Sequence, residues 1–162
     1  MSGSYFSADI SEFVRLLSEH GVRYLVVGGE AVIHYGYARL TGDIDIFFDA
    51  AEANVERLFA LLREFWQGKV PGIAQARELM EPGAVIQFGV PPNRIDLLNR
   101  IDGVSFEECW KNRTETAVLS AEGHVRVLYI GLEELIRNKT ASAREKDLDD
   151  LRFLRRIQEA ID

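Results

Sequence analysis

The 162-residue sequence has an ordinary globular composition, with 47% hydrophobic, 10% aromatic and 28% charged residues. A chain of this length suggests one domain and can bury enough surface to hold a hydrophobic core. Its 19 Lys and Arg residues against 26 Asp and Glu residues leave a formal charge of −7. This acidic balance argues against a protein that coats nucleic acid with a cationic surface.

Cysteine content and hydropathy narrow the class of protein further. The single cysteine, Cys109, excludes an internal disulfide and a cysteine-based zinc site. The amino-terminal segment lacks the pattern of a signal peptide, and no apolar stretch approaches the roughly 20 residues that span a bilayer. We therefore expect a cytoplasmic protein without a membrane partner.

The first 65 residues predict alternating helices and strands. Asp9 with Glu12, and Asp49 with Glu52, have the spacing of helix capping boxes. Residues 43–48 alternate apolar and acidic side chains, which is typical of a strand. In chain order the predicted elements are a helix that ends before Gly21, a strand over 24–27, a short helix over 30–35, a strand over 43–48 and an amphipathic helix from 49 to 65.

The rest of the chain predicts further strands and then helices. The predicted elements are a short helix over 74–80, strands over 84–90 and 94–98, a hairpin of strands over 115–119 and 125–130, and helices from 132 to 160 with a break near 140–143. One buried helical face is predicted at Leu135, Ile136, Leu148, Leu151, Leu154 and Ile157. This order favours an α+β fold, a mixed sheet with helices packed on it. We expect a single domain over 1–162, with a core over about 1–130 and a helical tail over about 131–162.

A pair of glycines follows the predicted strand over 24–27. Gly28 and Gly29 end this strand and begin a helix. Glycine allows the backbone to approach a ligand closely, and the free N–H groups at a helix start favour an anion. A tight turn is the alternative function of such a pair.

Acidic residues occupy one face of two predicted strands. Asp43 and Asp45 are two residues apart, so both carboxylates leave the same face of their strand. Asp96 repeats the pattern on a later strand and is placed to face the same site. Carboxylate oxygens are the ligands that Mg²⁺ selects, with Mn²⁺ as a substitute. Three carboxylates suffice for two metal ions in an in-line displacement, whereas an exposed acidic strand face is the structural alternative.

The ordered motifs resemble those of the nucleotidyltransferase superfamily that shares the DNA polymerase β catalytic core. The resemblance is carried by Val27-Gly28-Gly29, a spacer, and Asp43-Ile44-Asp45-Ile46. Within the superfamily the sequence looks most like the AbiEii/MenT branch, which includes toxins of bacterial toxin–antitoxin systems. The residues that carry this closer resemblance are Arg39, Thr41, Lys139, Arg144, Lys146, Asp147 and Asp150.

The resemblance implies a polymerase β-like nucleotidyltransferase fold and transfer of a nucleoside monophosphate from an NTP to an acceptor, such as tRNA, another RNA or a protein. It implies that Asp43 and Asp45 bind metal and that Asp96 is a third ligand or a general base. The implied nucleotide-binding residues are Gly28, Gly29, Arg39, Thr41, Lys139, Arg144 and Lys146, with Asp147 and Asp150 in support. A cognate antitoxin is the implied protein partner.

Other interpretations of the same residues stay open at this point. The basic residues fit a solvated helix face equally well, on which Lys146 and Asp150 have the spacing of a surface pair. Asp147 has the spacing to orient Arg144 instead of serving as a ligand. The main alternative function is a module of the same fold that binds a nucleotide or a partner without catalysis, and a metal-dependent phosphodiesterase is a third.

Overall fold

The computed structural model describes residues 4–37, 43–91 and 93–161. Within these ranges the chain forms an α+β fold with seven strands, six α-helices and one 3₁₀ helix. The strands are β1 Tyr5–Phe6, β2 Tyr24–Val27, β3 Asp43–Phe48, β4 Val85–Phe88, β5 Arg94–Leu98, β6 Thr114–Ser120 and β7 Gly123–Tyr129. The α-helices are α1 Ala8–Glu19, α2 Gly28–His34, α3 Glu52–Phe65, α4 Phe106–Lys111, α5 Leu132–Ser142 and α6 Glu145–Ile161, and the 3₁₀ helix is Ala76–Met80.

The described strands form one mixed sheet in the order β1-β6-β7-β2-β3-β5-β4. The pairs β2–β3, β4–β5 and β6–β7 are antiparallel, whereas β1–β6, β2–β7 and β3–β5 are parallel. The predicted α+β class and the mixed sheet are therefore confirmed. Both strands that carry the predicted acidic residues, β3 and β5, are neighbours in this sheet.

The hydrophobic core explains why β2 contains only buried residues. All four residues of Tyr24–Val27 are buried, as expected for a strand in the middle of a covered sheet. The helix α1 contributes a buried face that includes Phe13, Leu16 and Leu17, and α3 contributes one that includes Leu58. These apolar faces belong to the same hydrophobic core as the buried residues of β2 and β3.

Both predicted capping boxes are wrong. Ser7 caps α1, because its Oγ accepts a hydrogen bond from the Ile10 N–H at 3.3 Å. The helix α3 has no side-chain cap, since Asp49 is engaged elsewhere. One Asp49 oxygen accepts from the Ala51 N–H at 3.1 Å, and the other pairs with Arg23 at 3.0 Å. Long-range ion pairing has replaced the local capping bond.

Two short elements escaped the sequence prediction. The helix α4 has a capping box in which the Ser105 Oγ accepts from the Glu108 N–H and the Glu108 carboxylate accepts from the Ser105 N–H. This Ser-x-x-Glu signal was present in the sequence. The strand β1 has only two residues, and it depends on parallel pairing with β6. In this pairing Tyr5 lies opposite Leu119, which is 114 residues later in the chain. No local pattern predicts such a strand.

The carboxyl-terminal helices break where the sequence indicates. The helix α5 ends at Ser142, and Ala143 adopts a left-handed backbone with φ of +46°. The predicted buried face is wrong at Leu148, which is 50% exposed. Asp147 and Asp150 lie on the buried face of α6 beside Leu151 and Leu154, because ion pairs with α5 compensate their burial. In the described part of the chain, no helix combines the length and apolar character required to cross a bilayer.

Candidate active site

Three carboxylates converge at the centre of the sheet. In the parallel pairing of β3 with β5, Asp45 lies opposite Asp96. One oxygen from each of Asp43, Asp45 and Asp96 lies within 4.8 Å of the others, and we call these three residues the acidic triad. Asp96 is buried, whereas the other two side chains are partly exposed. The structure therefore brings together the acids that the sequence placed on one strand face.

The alternation of side chains explains how the acids reach one face. Ile44 and Ile46 point to the opposite face of β3, and Ile95 and Leu97 do the same on β5. All four of these apolar side chains are buried. Their burial specifies the register, because a slip by one residue would exchange the apolar and acidic faces.

Gly28 makes room for the acidic triad. Its backbone has φ of +67°, and a Cβ atom on it would lie 3.1 Å from Asp45 Cγ and still closer to Asp45 Oδ2. The side chain that approaches Gly28 is therefore that of Asp45, a catalytic candidate. The sequence did not indicate this contact. Gly29 is the next residue of α2, whose start has no side-chain cap.

Among the described residues, Arg94 contacts two carboxylates of the acidic triad directly. Its Nη2 lies 2.9 Å from Asp96 Oδ2 and 3.3 Å from Asp43 Oδ2. Its Nε donates to Asp96 Oδ1 at 3.1 Å, so the contact with Asp96 is bidentate. The sequence analysis did not include Arg94 among the site residues. Its position two residues before Asp96, on the same strand face, was the available signal.

Asp45 differs from its neighbours in its electrostatic surroundings. Burial raises the pKa of Asp45 to about 7, and the carboxylates of Asp43 and Asp96 contribute in the same direction. The positive charge of Lys139 opposes this rise in the pKa. Asp45 therefore has a substantial protonated fraction near neutral pH in the absence of a further cation.

Lys139 is buried where α5 meets α6. Its Nζ lies 3.0 Å from Asp147 Oδ1 and 3.3 Å from Asp150 Oδ2, and the three side chains are at most 3% exposed. The surface pair of Lys146 with Asp150 is therefore wrong, since Asp150 is buried against Lys139. Burial of these charges is tolerated because each acid has a cationic partner.

Asp147 organises the turn between the two helices. It accepts hydrogen bonds from Ser142 Oγ at 2.8 Å, from the Arg144 N–H at 3.1 Å and from Arg144 Nε at 2.8 Å. Burial opposes ionisation, but hydrogen bonds from Arg144, Lys139 and Ser142 hold the pKa of Asp147 well below its usual range. Asp147 thus makes the contact with Arg144 that the three-residue spacing allows, and the Arg144 side chain stays 60% exposed.

A cleft of about 420 Å³ connects the acidic triad with these basic residues. Its lining includes Gly28, Lys139, Arg144 and Lys146. Asp147 and Asp150 lie behind Lys139 and hold it. The predicted site residues Arg39 and Thr41 lie outside the described residues. The cleft-lining residues that the sequence analysis missed are Arg94, Arg100, Asp102, Asn138 and Ser142.

The model of a protein family described as "Nucleotidyltransferase of unknown function (DUF6036)" matches residues 8–160. The chain belongs to this family. The matched range includes the acidic triad, the glycine pair and both carboxyl-terminal helices. Comparison with curated proteins gives no match. The family supports the nucleotidyltransferase resemblance at this broad level, without the AbiEii/MenT assignment.

Replacement of Gly28 by alanine tests the close approach of Asp45. We expect Gly28→Ala to lower the free energy of unfolding by about 2–4 kcal/mol, since it adds a steric collision to an unfavourable φ. Urea unfolding measures the change. Gly72→Ala is the matched control, because Gly72 has φ of +77° and nothing within 4 Å of an added Cβ. Equal losses in the two variants would contradict the steric role of Asp45.

The raised pKa of Asp45 predicts a pH-dependent stability in the presence of a chelator. Because the folded protein binds this proton more tightly than the unfolded chain, Asp45 destabilises the fold increasingly as the pH rises from about 4 to about 7. The stability advantage of Asp45→Asn over wild type should therefore grow by about 1–2 kcal/mol between pH 5 and pH 8. Urea unfolding in EDTA at both pH values measures it. Asp9→Asn, on the exposed face of α1, should show no such growth.

The buried ion pairs predict that Lys139 is required for stability. Lys139→Met leaves Asp147 and Asp150 without their shared cation and should cost about 3–5 kcal/mol. Lys146→Met, at an exposed cleft position, should change the free energy of unfolding by less than about 0.5 kcal/mol. Chemical denaturation of both variants makes the comparison. Similar stabilities would contradict the structural role of Lys139.

Proposed function

We propose that this protein transfers a nucleoside monophosphate from an NTP to an acceptor and releases pyrophosphate, with the help of Mg²⁺ or Mn²⁺. The observation that carries the proposal is the convergence of the acidic triad beside a cleft with basic walls. Membership of a nucleotidyltransferase family supports the same class of reaction. The proposed catalytic residues are Asp43, Asp45 and Asp96.

The donor set of the triad suits a hard divalent cation. Its carboxylate oxygens are close together, and the guanidinium of Arg94 shows that a positive charge is accommodated among them. Asp43, Asp45 and Asp96 would hold the ion. When bound, such an ion neutralises phosphate charge and activates the attacking hydroxyl.

Basic residues that line the cleft supply positive charge for a triphosphate. Arg144 and Lys146 are exposed there and can contact an anion, although Arg144 also pairs with Asp147. Lys139 lines the same cleft, but it is buried and its charge is already compensated by Asp147 and Asp150. We therefore assign the phosphate contacts chiefly to Arg144 and Lys146. Lys139 would attract a phosphate only at short range, because its two acidic partners cancel its charge at a distance.

The turn after β2 completes the proposed nucleotide site. Gly28 keeps the backbone close to Asp45, and Gly29 continues into the first turn of α2. Backbone N–H groups in a first helical turn lack intrahelical partners and are available to phosphate oxygens. Arg39 and Thr41 stay predictions for the same site.

The AbiEii/MenT-like motifs extend the proposal to the acceptor. They favour an RNA such as tRNA, with a protein as the other candidate, and a toxin role in the cytoplasm with a cognate antitoxin as partner. Lys139, Arg144, Lys146, Asp147 and Asp150 carry that extension. All but Lys146 are connected by ion pairs, and Lys146 lines the same cleft.

A labelling experiment tests the transfer. The purified protein is incubated with each α-labelled NTP, with Mg²⁺ or Mn²⁺, and with total RNA, tRNA or protein as acceptor. We expect label on one acceptor class, and a loss of at least about 100-fold in Asp43→Asn, Asp45→Asn and Asp96→Asn, since each removes one oxygen charge from the triad. Calorimetry with the NTP reports binding separately.

The control for the loss of one carboxylate charge is Asp9→Asn, which should transfer at the wild-type rate. Tight NTP binding without transfer would replace the proposal by the non-catalytic binding module. Release of a nucleotide product without labelled acceptor would favour a phosphodiesterase. Wild-type activity in the triad variants would refute the assignment of the site.

A further inference from the structure

Arg94 contacts two of the three carboxylates of the acidic triad. Its Nη2 contacts one oxygen of Asp43 and one of Asp96, and its Nε contacts the second oxygen of Asp96. Both Asp96 oxygens thus accept hydrogen bonds from one guanidinium. The guanidinium is always charged, so this partner is present at every physiological pH.

The backbone itself holds Arg94 in place. Arg94 is the register partner of Asp43 in the parallel pairing of β3 with β5. It precedes Asp96 by two residues, which puts both side chains on one strand face. The Arg94 side chain is 34% exposed and the Asp96 side chain is only 7% exposed, so the ion pair is largely buried. This contact belongs to the fold and does not depend on a loop.

The positive charge of Arg94 opposes the binding of a metal ion at the acidic triad. A divalent ion requires oxygens of the same carboxylates, and its charge repels the guanidinium at short range. Without Arg94, the three carboxylates would attract a divalent ion more strongly but would also repel one another more strongly in its absence. Arg94 therefore stabilises the metal-free protein and destabilises the metal-bound protein.

We propose that Arg94 is a built-in counter-cation that stabilises the empty acidic triad and weakens its affinity for divalent cations. The inference rests on the proposed function in assigning a metal to the triad and a nucleotide to the cleft beside it. A bound ion would compete with Arg94 for Asp43, where the contact is longer, while the bidentate contact with Asp96 would keep Arg94 at the site. The anionic triphosphate of a nucleotide compensates the extra charge, so tight metal binding is coupled to nucleotide binding.

The test is the affinity for Mn²⁺ alone, measured by calorimetry and by electron paramagnetic resonance without nucleotide. We expect Arg94→Gln to bind Mn²⁺ about tenfold or more tightly than wild type, because one short-range positive charge is removed. Arg100→Gln is the matched control, since Arg100 lines the same cleft, and it should change the affinity less than about twofold. Arg94→Lys keeps the charge and should stay within about threefold of wild type.

Thermal unfolding provides a second readout that needs no activity. In EDTA, Arg94→Gln should melt about 3–6 °C below wild type, and Mn²⁺ should raise its melting temperature more than that of wild type. Equal Mn²⁺ affinity in Arg94→Gln and Arg100→Gln would overturn this inference but would leave the proposed metal site intact. Weaker Mn²⁺ binding in Arg94→Gln would also overturn it, by making Arg94 an organiser of the ligands. No Mn²⁺ binding in any of these proteins would overturn the proposed metal site together with the inference.

Discussion

The pairing of β3 with β5 is the constraint on which the candidate site depends. It sets Asp45 opposite Asp96, although like charges in directly opposed positions destabilise a sheet. The apolar residues on the other face of both strands compensate this repulsion by their burial. The site is therefore held together by the hydrophobic core beneath it, and Gly28 provides the space in which Asp45 fits.

In the described part of the chain, Arg94 and Lys139 compensate acidic charge in different ways. Arg94 lies within the triad and contacts two of its carboxylates. Lys139 lines the same cleft, where Asp147 and Asp150 hold it in a buried cluster. Removing one partner of such a buried ion pair is strongly destabilising, because it leaves an uncompensated buried charge. In this protein the geometry joins α5 to α6 and leaves Arg144 exposed at the cleft.

Local signals predicted most elements but fewer of their ends. Alternation identified β3 and β5 because its period follows from the strand backbone alone. The cap of α1 was misplaced by two residues, at Asp9 instead of Ser7, since several polar residues near a helix start compete for that role. Leu148 was assigned to a buried face because apolar periodicity does not reveal that paired acids are buried there instead.

The sequence alone determined which residues share a strand face and where glycine interrupts the chain, because both depend on neighbours within a few positions. It thereby identified the three acids and most basic residues of the cleft. Only the tertiary structure decided that Arg94 enters the triad, that Asp45 packs against Gly28 and that Lys139 pairs with two acids of the next helix. These contacts depend on strand order and helix packing, which arise from burial over the whole chain.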